Sequence, residues 1–576
     1  MNTQTTIGGL FAEDGISFYV PSYQRAYSWE VGTNGTKGQI EQFLDDIKEQ
    51  DPNSDYYLGH FLFEKGDEGE YFIIDGQQRL TTTVIFMSCL TKEITKRNFE
   101  LTIGKNKKFP AGRIWEVFLK PHYGCQRFST VKEDALYFNK LVIECSDDNS
   151  LTSKRRSESN IKKAVSFFSS EMSNAKEEDL SNWFSVLYNA VITTFALEGK
   201  DSKVTATQIF AFQNDRGKGL TTLEKLKAFF MHKVYKLEPN NAKANIEALD
   251  SKFASIYSHV EILNTKEDTV LNYHCQAFTK GWDNAFENIK EDLSKEQDKL
   301  LWINNFVSSL SRTFEYMCDI EDAINSYNCS ISDVCILDRQ NSMPLIIKLC
   351  HYTDNGEKIR NNERITNALQ IVEKILFKLN YTVGNYRTNY LIGIAKNYSK
   401  DSYDRLIQDL NDIELNGFKG YWNFNDDCKR YFSGHYHYKG NLRYVLYKYE
   451  NYLRTIAKQP LLTPDECTNV FREKRIENTL DHITPQNPDF TEYSEEFKNE
   501  FLNDMGNLSL LTWGNNSQKN NHNPVLPEYR EMYDSVFFTQ KEIFKTLCDT
   551  NSWGEKEISD RHDRLFNFII KNWNLK

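Results

Sequence analysis

The 576-residue chain lacks several features that would assign it to a class at once. No apolar run approaches the ~20 residues needed to span a bilayer, which argues against a helical membrane protein. The opening MNTQTTIGGL lacks the charged-then-apolar form of a signal peptide, so a cytoplasmic location without a membrane partner is expected. Eleven cysteines are scattered with no C-x-x-C pair, Cys329 and Cys335 lying closest together. This argues against a disulfide framework or a Cys-rich structural zinc and leaves buried, reduced thiols as the reading. An excess of positive charge is missing too: the net charge is −11, unsuited to coating DNA nonspecifically, so any DNA contact needs a local basic patch. There is no internal repeat and no low-complexity segment.

With 40% hydrophobic and 14% aromatic residues, the chain can fill the two to four cores its length calls for. Residues 16–21 read as a short strand. Ile40, Phe43, Leu44 and Ile47 mark one face of a helix. Residues 56–64 and 71–75 read as paired strands, and the second runs through Asp75-Gly76-Gln77-Gln78-Arg79 into a helix at 80–94. A strand, a glycine turn and a helix start leave backbone N–H groups and a positive dipole end facing outward, suited to an anion. The alternative is a polar turn with Arg79 paired to Asp75. A second such start follows Asn214 and Arg216, where Thr221 and Glu224 fit a capping box. Its alternative is an ordinary capped helix. From about 236 to 425 only helical spacing is legible, as in Ile365, Leu369, Val372, Leu376 and Leu379, and a mostly helical connector is expected.

Residues 429–460 hold seven basic residues against one acid, Glu450, interleaved with seven tyrosines. Such a stretch can grip phosphates and stack on bases, and Lys439, Arg443 and Lys448 are the candidate DNA contacts. Leu442, Val445, Leu446, Tyr449 and Leu453 keep helical spacing, so a core face with a solvated back is the competing reading.

The stretch from Thr479 to Asn523 carries the densest chemistry. Thr479-Leu480-Asp481-His482-Ile483 leads to Pro485, Asn507 to Leu511 reads as a second strand, and polar residues including Asn516 follow. A hard divalent cation prefers oxygen ligands, which Asp481 and the Asn516 amide supply. A neutral His482 could take a proton from attacking water during phosphodiester hydrolysis. The bland reading is a histidine packed at a strand end beside a solvated aspartate.

D-H-I-x-P-Q, then G-N-L-x-L-L, then N-N-S resembles an HNH (ββα-metal) nuclease, with Asn507 25 positions after His482 and Asn516 nine further on. The resemblance implies His482 as general base, Asp481 and Asn516 as ligands of Mg²⁺ or Mn²⁺, and Asn507 as a loop-holding amide. His522 is a fallback ligand, since Asn516 stands where histidine-rich variants place a histidine. V-P-S-Y-Q-R-A-Y-S-W at 20–29, Y-L-G-H at 57–60, I-D-G-Q-Q-R-L-T-T at 74–82 and F-x-F-Q-N-D-R-G-K-G-L at 210–220 resemble the amino-terminal module of GmrSD-type (type IV) restriction enzymes. That module is similar to ParB-like nucleotide-binding folds. The resemblance implies binding and hydrolysis of a nucleoside triphosphate (GTP, ATP, UTP or CTP) at Asp75, Gly76, Gln77, Gln78 and Arg79, with Gln24, Arg25, Asn214 and Arg216 around them. Trp553, Ile558, Arg561, Leu565 and Trp573 fit the closing helix of the same family.

The expected fold is α+β and multidomain. A ParB-like α/β domain spans 1–235, a helical connector 236–425 and an HNH nuclease domain 426–576. The expected function is nucleotide- and metal-dependent cutting or nicking of DNA, modified in phage or host, within a restriction system. Two readings stand beside it, a nucleotide-switched DNA-binding module that does not cut and a toxin-type RNA nuclease. A homodimer is left open.

Overall fold

A computed structural model describes the chain except for residues 1–2, 22–23, 34, 68, 104–106, 121–125, 145–150, 199–220, 280–283, 382–389, 418–423, 438–441, 472–477 and 576. It divides into two compact units, Met1–Cys275 with Gly281–Cys318, and Gln276–Lys280 with Asp319–Lys576. The stretch read as a connector is thus shared out between two cores.

In the first unit, β1 (Thr3–Thr6), β2 (Ser17–Tyr19), β3 (Tyr57–Lys65), β4 (Glu70–Asp75), β7 (Phe128–Ser129) and β8 (Val191–Leu197) form one mixed sheet ordered β1-β8-β3-β4-β2-β7. A separate short ribbon pairs β5 (Leu101–Ile103) with β6 (Lys107–Phe109). Central β3 runs antiparallel to β4 and parallel to β8, and Phe61 and Phe63 along it are fully buried. Helix α1 (Gln39–Lys48) buries Ile40, Phe43, Leu44 and Ile47, the face that the sequence spacing marks.

Helix α2 (Gln77–Arg97) starts directly from β4 and is buried nearly all round. Three consecutive threonines lie inside it because each hydroxyl donates to the carbonyl four residues back, Thr81 to Gln77, Thr82 to Gln78 and Thr83 to Arg79, at 2.7–2.8 Å. No buried hydroxyl is stranded there. Asn98, with φ 55°, closes the helix in the left-handed conformation. Helix α3 (Arg156–Asn174) packs its apolar face into the same core, and α4 (Thr222–Leu237) opens on the capping box of Thr221 and Glu224.

In the second unit, α5 (Glu363–Asn380) and α6 (Leu442–Ile456) share an apolar cluster with Leu508 and Leu510 and with the chain's last aromatic, Trp573. Two strands, β9 (Asn478–His482) and β10 (Leu508–Thr512), pair antiparallel with His482 opposite Leu508 and Asp481 opposite Ser509. Helix α7 (Trp513–Lys519) follows β10 directly. Helices α8 (Phe538–Thr550) and α9 (Glu555–Asn572) complete the unit. The nine described cysteines are free thiols, and no helix among the described residues is long and apolar enough to cross a membrane.

Candidate functional site

The turn after β4 is built around two glycines. Gly76 caps α2 at φ 91°, and a Cβ there would lie 2.3 Å from the Phe61 ring. Gly59 in β3 has φ 120°, and a Cβ there would lie 1.9 Å from Arg79 Nη1. Only glycine fits either position. The space lets Arg79 lie across the strand end, donating to the carbonyls of Leu58 (3.0 Å) and His60 (2.9 Å), with its guanidinium over the Phe61 ring. Burial lowers its pKa, and Asp75, 3.8 Å away, opposes that.

The two glutamines hold the segment 24–28. Gln77 Nε2 donates to the Arg25 carbonyl (2.8 Å). Gln78 donates to the Ala26 carbonyl (3.2 Å) and accepts from the Ser28 N–H (2.9 Å). Gln24 in turn donates to the Ile74 carbonyl (3.0 Å), and His60 Nε2 lies 3.3 Å from Asp75. Arg25 rests between Glu267 (3.9 Å) and Glu224 (4.0 Å). Burial works to lower its pKa, but Glu267 and then Glu224 outweigh it and hold the guanidinium above its ordinary value. The structure therefore brings Gln24, Arg25, Asp75, Gly76, Gln77, Gln78 and Arg79 to one turn. It commits Gln77, Gln78 and Arg79 to backbone groups, so they shape the turn rather than stand open to an anion. Asn214 and Arg216 lie outside the described residues.

In the second unit the β9–β10 hairpin carries apolar packing on both faces. Successive strand residues point to opposite faces, so adjacent Asp481 and His482 part company. On one side Asp481, 3% exposed, accepts from Tyr533 Oη at Oδ2 (2.7 Å) and pairs with Lys519 Nζ at Oδ1 (2.9 Å). Lys519, at the end of α7, is fully buried and also donates to the carbonyls of His482 and Ile483. Burial lowers its pKa and Asp481 opposes. Asn516, one turn earlier on α7, donates to Thr479 Oγ1 (2.7 Å).

Both oxygens of the expected ligand Asp481 are thus engaged, one by an ammonium, so Asp481 as it stands does not fit a hard divalent cation, whereas Asn516 uses only its Nδ2 in the bond to Thr479. His522 is no substitute, because its Nδ1 meets Asp489 and its ring stacks on Tyr529.

On the other side His482, 7% exposed, sets Nε2 3.0 Å from Asn503 Oδ1. Burial lowers its pKa, outweighing the hydrogen bond to Asn503 and the charge of Asp481, which favours the neutral imidazole. Asn507 is fully buried and ties the loop beyond His482. Its Oδ1 accepts from the Thr484 N–H (2.9 Å), and its Nδ2 donates to the carbonyls of Thr484 (3.1 Å) and Leu502 (2.9 Å). Arg561 Nη1 clasps the same loop through the carbonyls of Met505, Gly506 and Leu508.

The basic, tyrosine-rich stretch is corrected as well. Lys448 pairs with Asp333 (3.0 Å) and lies 4.0 Å from Glu373, while Arg443 reaches the Val470 carbonyl. Tyr444, Tyr447 and Tyr449 are buried in the α6 core, and Lys439 lies outside the described residues. The helical reading prevails, and Lys448 is not presented to DNA. Sequence reasoning missed Asn503, Lys519 and Tyr533. Lys519 had a signal, its spacing of three from Asn516 on a short helix, whereas Asn503 and Tyr533 had none.

Residues 7–231 match the family model of the GmrSD restriction endonuclease N-terminal domain, and residues 422–568 match that of the GmrSD restriction endonucleases, C-terminal domain. The two matches follow the order expected from the motifs and cover well over half the chain. No relative is found among curated proteins.

Proposed function

This chain belongs to the GmrSD restriction endonuclease family, and from that premise we propose that it is a restriction-type nuclease acting on DNA, with His482 as its proton acceptor. One observation carries the residue assignment. The His482 imidazole ends β9 with Nε2 on Asn503 Oδ1, beside a loop that Asn507 fastens from behind. In hydrolysis, His482 takes the proton of the attacking water. Asn503 fixes the ring, and Asn507 keeps the strand end in place. Mg²⁺ or Mn²⁺ belongs to the proposal as the ion with which such a reaction is assayed, not as an ion seated on Asp481 and Asn516.

The first unit is proposed to bind and turn over a nucleoside triphosphate at the α2 start. The start of α2 at Gly76, which no side chain caps, supports anion binding there. Gln77, Gln78 and Arg79 act as positioning residues that hold segment 24–28 against it. Nucleotide turnover then governs cutting of modified DNA. The occupied Asp481 carboxylate favours a second reading, a nucleotide-switched module that binds DNA without cutting.

The test is cleavage of matched plasmid and modified phage DNA by the wild type and His482→Ala, with Mg²⁺ or Mn²⁺, with and without nucleoside triphosphate. Loss of about 100-fold or more in His482→Ala, with nucleotide hydrolysis intact, is expected. Undiminished cleavage by His482→Ala refutes the base assignment. DNA affinity without scission by the wild type turns the reading to the binding module.

A further inference from the structure

We propose that His435, Asp504 and His562 form a binding site for a divalent transition-metal ion, with Zn²⁺ the best chemical match, distinct from the Asp481 side of the hairpin. His435 comes from the loop after the helix Phe424–Phe432, Asp504 caps the short turn Met505–Asn507, and His562 lies on α9. One ligand atom from each falls within 4.8 Å of the others.

The Asp504 carboxylate is 1% exposed. His562 Nδ1 lies 2.8 and 3.0 Å from its two oxygens, His435 Nδ1 lies 3.3 Å from Oδ2, and the Gly506 N–H donates to Oδ1 at 2.7 Å. Among the described residues no lysine or arginine pairs with it. Burying a carboxylate is costly without a positive partner, and a cation bound between the imidazoles supplies one. His437 is close, 3.9 Å from Asp504, but both its ring nitrogens are used. Nδ1 accepts from the Met505 N–H (3.1 Å) and Nε2 donates to the Tyr431 carbonyl (3.1 Å), which makes His437 a wall of the site and not a ligand.

The spacing suits a tetrahedral ion. Arms of about 2.0 Å, as for zinc with nitrogen or carboxylate oxygen, put neighbouring ligand atoms roughly 3.3 Å apart. The two imidazole–carboxylate edges are already near this value, and His435, half exposed on its loop, can turn to close the third. Two nitrogens and one oxygen match a borderline ion better than Mg²⁺, which demands six oxygens. The solvent side by His435 leaves a fourth position for water. Asp504 directly follows Asn503, the partner of His482. An ion here therefore fastens the segment that positions the candidate base onto both the 435 loop and α9.

The proposal does not rest on the nuclease reading, because metal binding is measured without DNA. The 576-residue chain is freed of metal with a chelator, dialysed, and titrated with Zn²⁺ against a chromophoric competitor. It is then titrated with Co²⁺ while visible d–d absorption is followed. His435→Ala and His562→Asn are compared with the wild type and with His259→Gln, a histidine far along the chain. One equivalent of Zn²⁺ and intense tetrahedral Co²⁺ bands are expected in the wild type and His259→Gln, with at least a tenfold loss of affinity in the other two. Absence of stoichiometric binding by the wild type, or equal affinity in His435→Ala and His562→Asn, overturns the site. Should His562→Asn misfold, the exposed His435→Ala decides alone.

Discussion

Single side chains carry the most testable physics in this protein. Burial raises the Asp134 carboxyl to about 6, with Ser157 opposing. Its folded-state pKa exceeds its unfolded one, so the folded chain holds the proton more tightly and stability falls as pH rises from about 4 to 6. Asp134→Asn is therefore expected to stabilise the protein at pH 7.5, on the order of 2 kcal/mol, with the gain vanishing near pH 4. Thermal melts of both proteins across that range check the sign. The buried pair of Lys519 and Asp481 works the other way. Lys519→Met strands a carboxylate beside Tyr533 and should cost about 3 kcal/mol or more, while adding Asp481→Asn should restore part of it. Denaturant midpoints of the two variants measure this; a Lys519→Met protein as stable as wild type would show that the ammonium does not neutralise Asp481. Asp481 and His482 were legible as candidates, but their partners were not. The strand period of two separates neighbours, and the residues that met them, Asn503, Lys519 and Tyr533, lie 21 to 52 positions away.

At the scale of elements, the strand–glycine–helix unit was readable because each step leaves a local mark. The alternation in β3 and β4, the glycine at the turn and the apolar run of α2 all lie within 41 residues, Tyr57–Arg97. The grip of Arg79 on the preceding strand left a fainter mark, Gly59, whose role appears only when Arg79 is seen to lie over it. Gly59→Ala puts a side chain at φ 120° and into the Arg79 guanidinium, and should lower stability by about 2 kcal/mol or more. Arg79→Ala leaves two carbonyls unpaired and should fall in the same range. If Gly59→Ala melts with the wild type, the Arg79 clamp is not as drawn. The basic stretch at 429–460 shows the opposite case. Its composition suggested a surface, but helical spacing turned three tyrosines inward and set Lys448 against Asp333 and Glu373.

At the scale of the molecule, both end modules were recognisable from motifs, and the middle was not. Helical periodicity says that a segment is a helix but not which core it enters, so 236–425 read as one connector while its helices fall into two units. Helix α5 shows what this means. Phe377 stacks on Trp573 with ring centroids 3.5 Å apart, and Glu373 accepts from the Trp573 indole (2.9 Å) and the Tyr444 hydroxyl (2.6 Å). Residues 426–576 alone are thus expected to lack near-ultraviolet circular dichroism and cooperative melting, while 319–576 should show both. A cooperative melt of the shorter fragment would refute this. The socket for Trp573 also sets how the carboxy-terminal module can be inherited. A recombination that swaps it at the motif boundary hands the recipient a key without its lock, so exchanges that survive must carry α5 along.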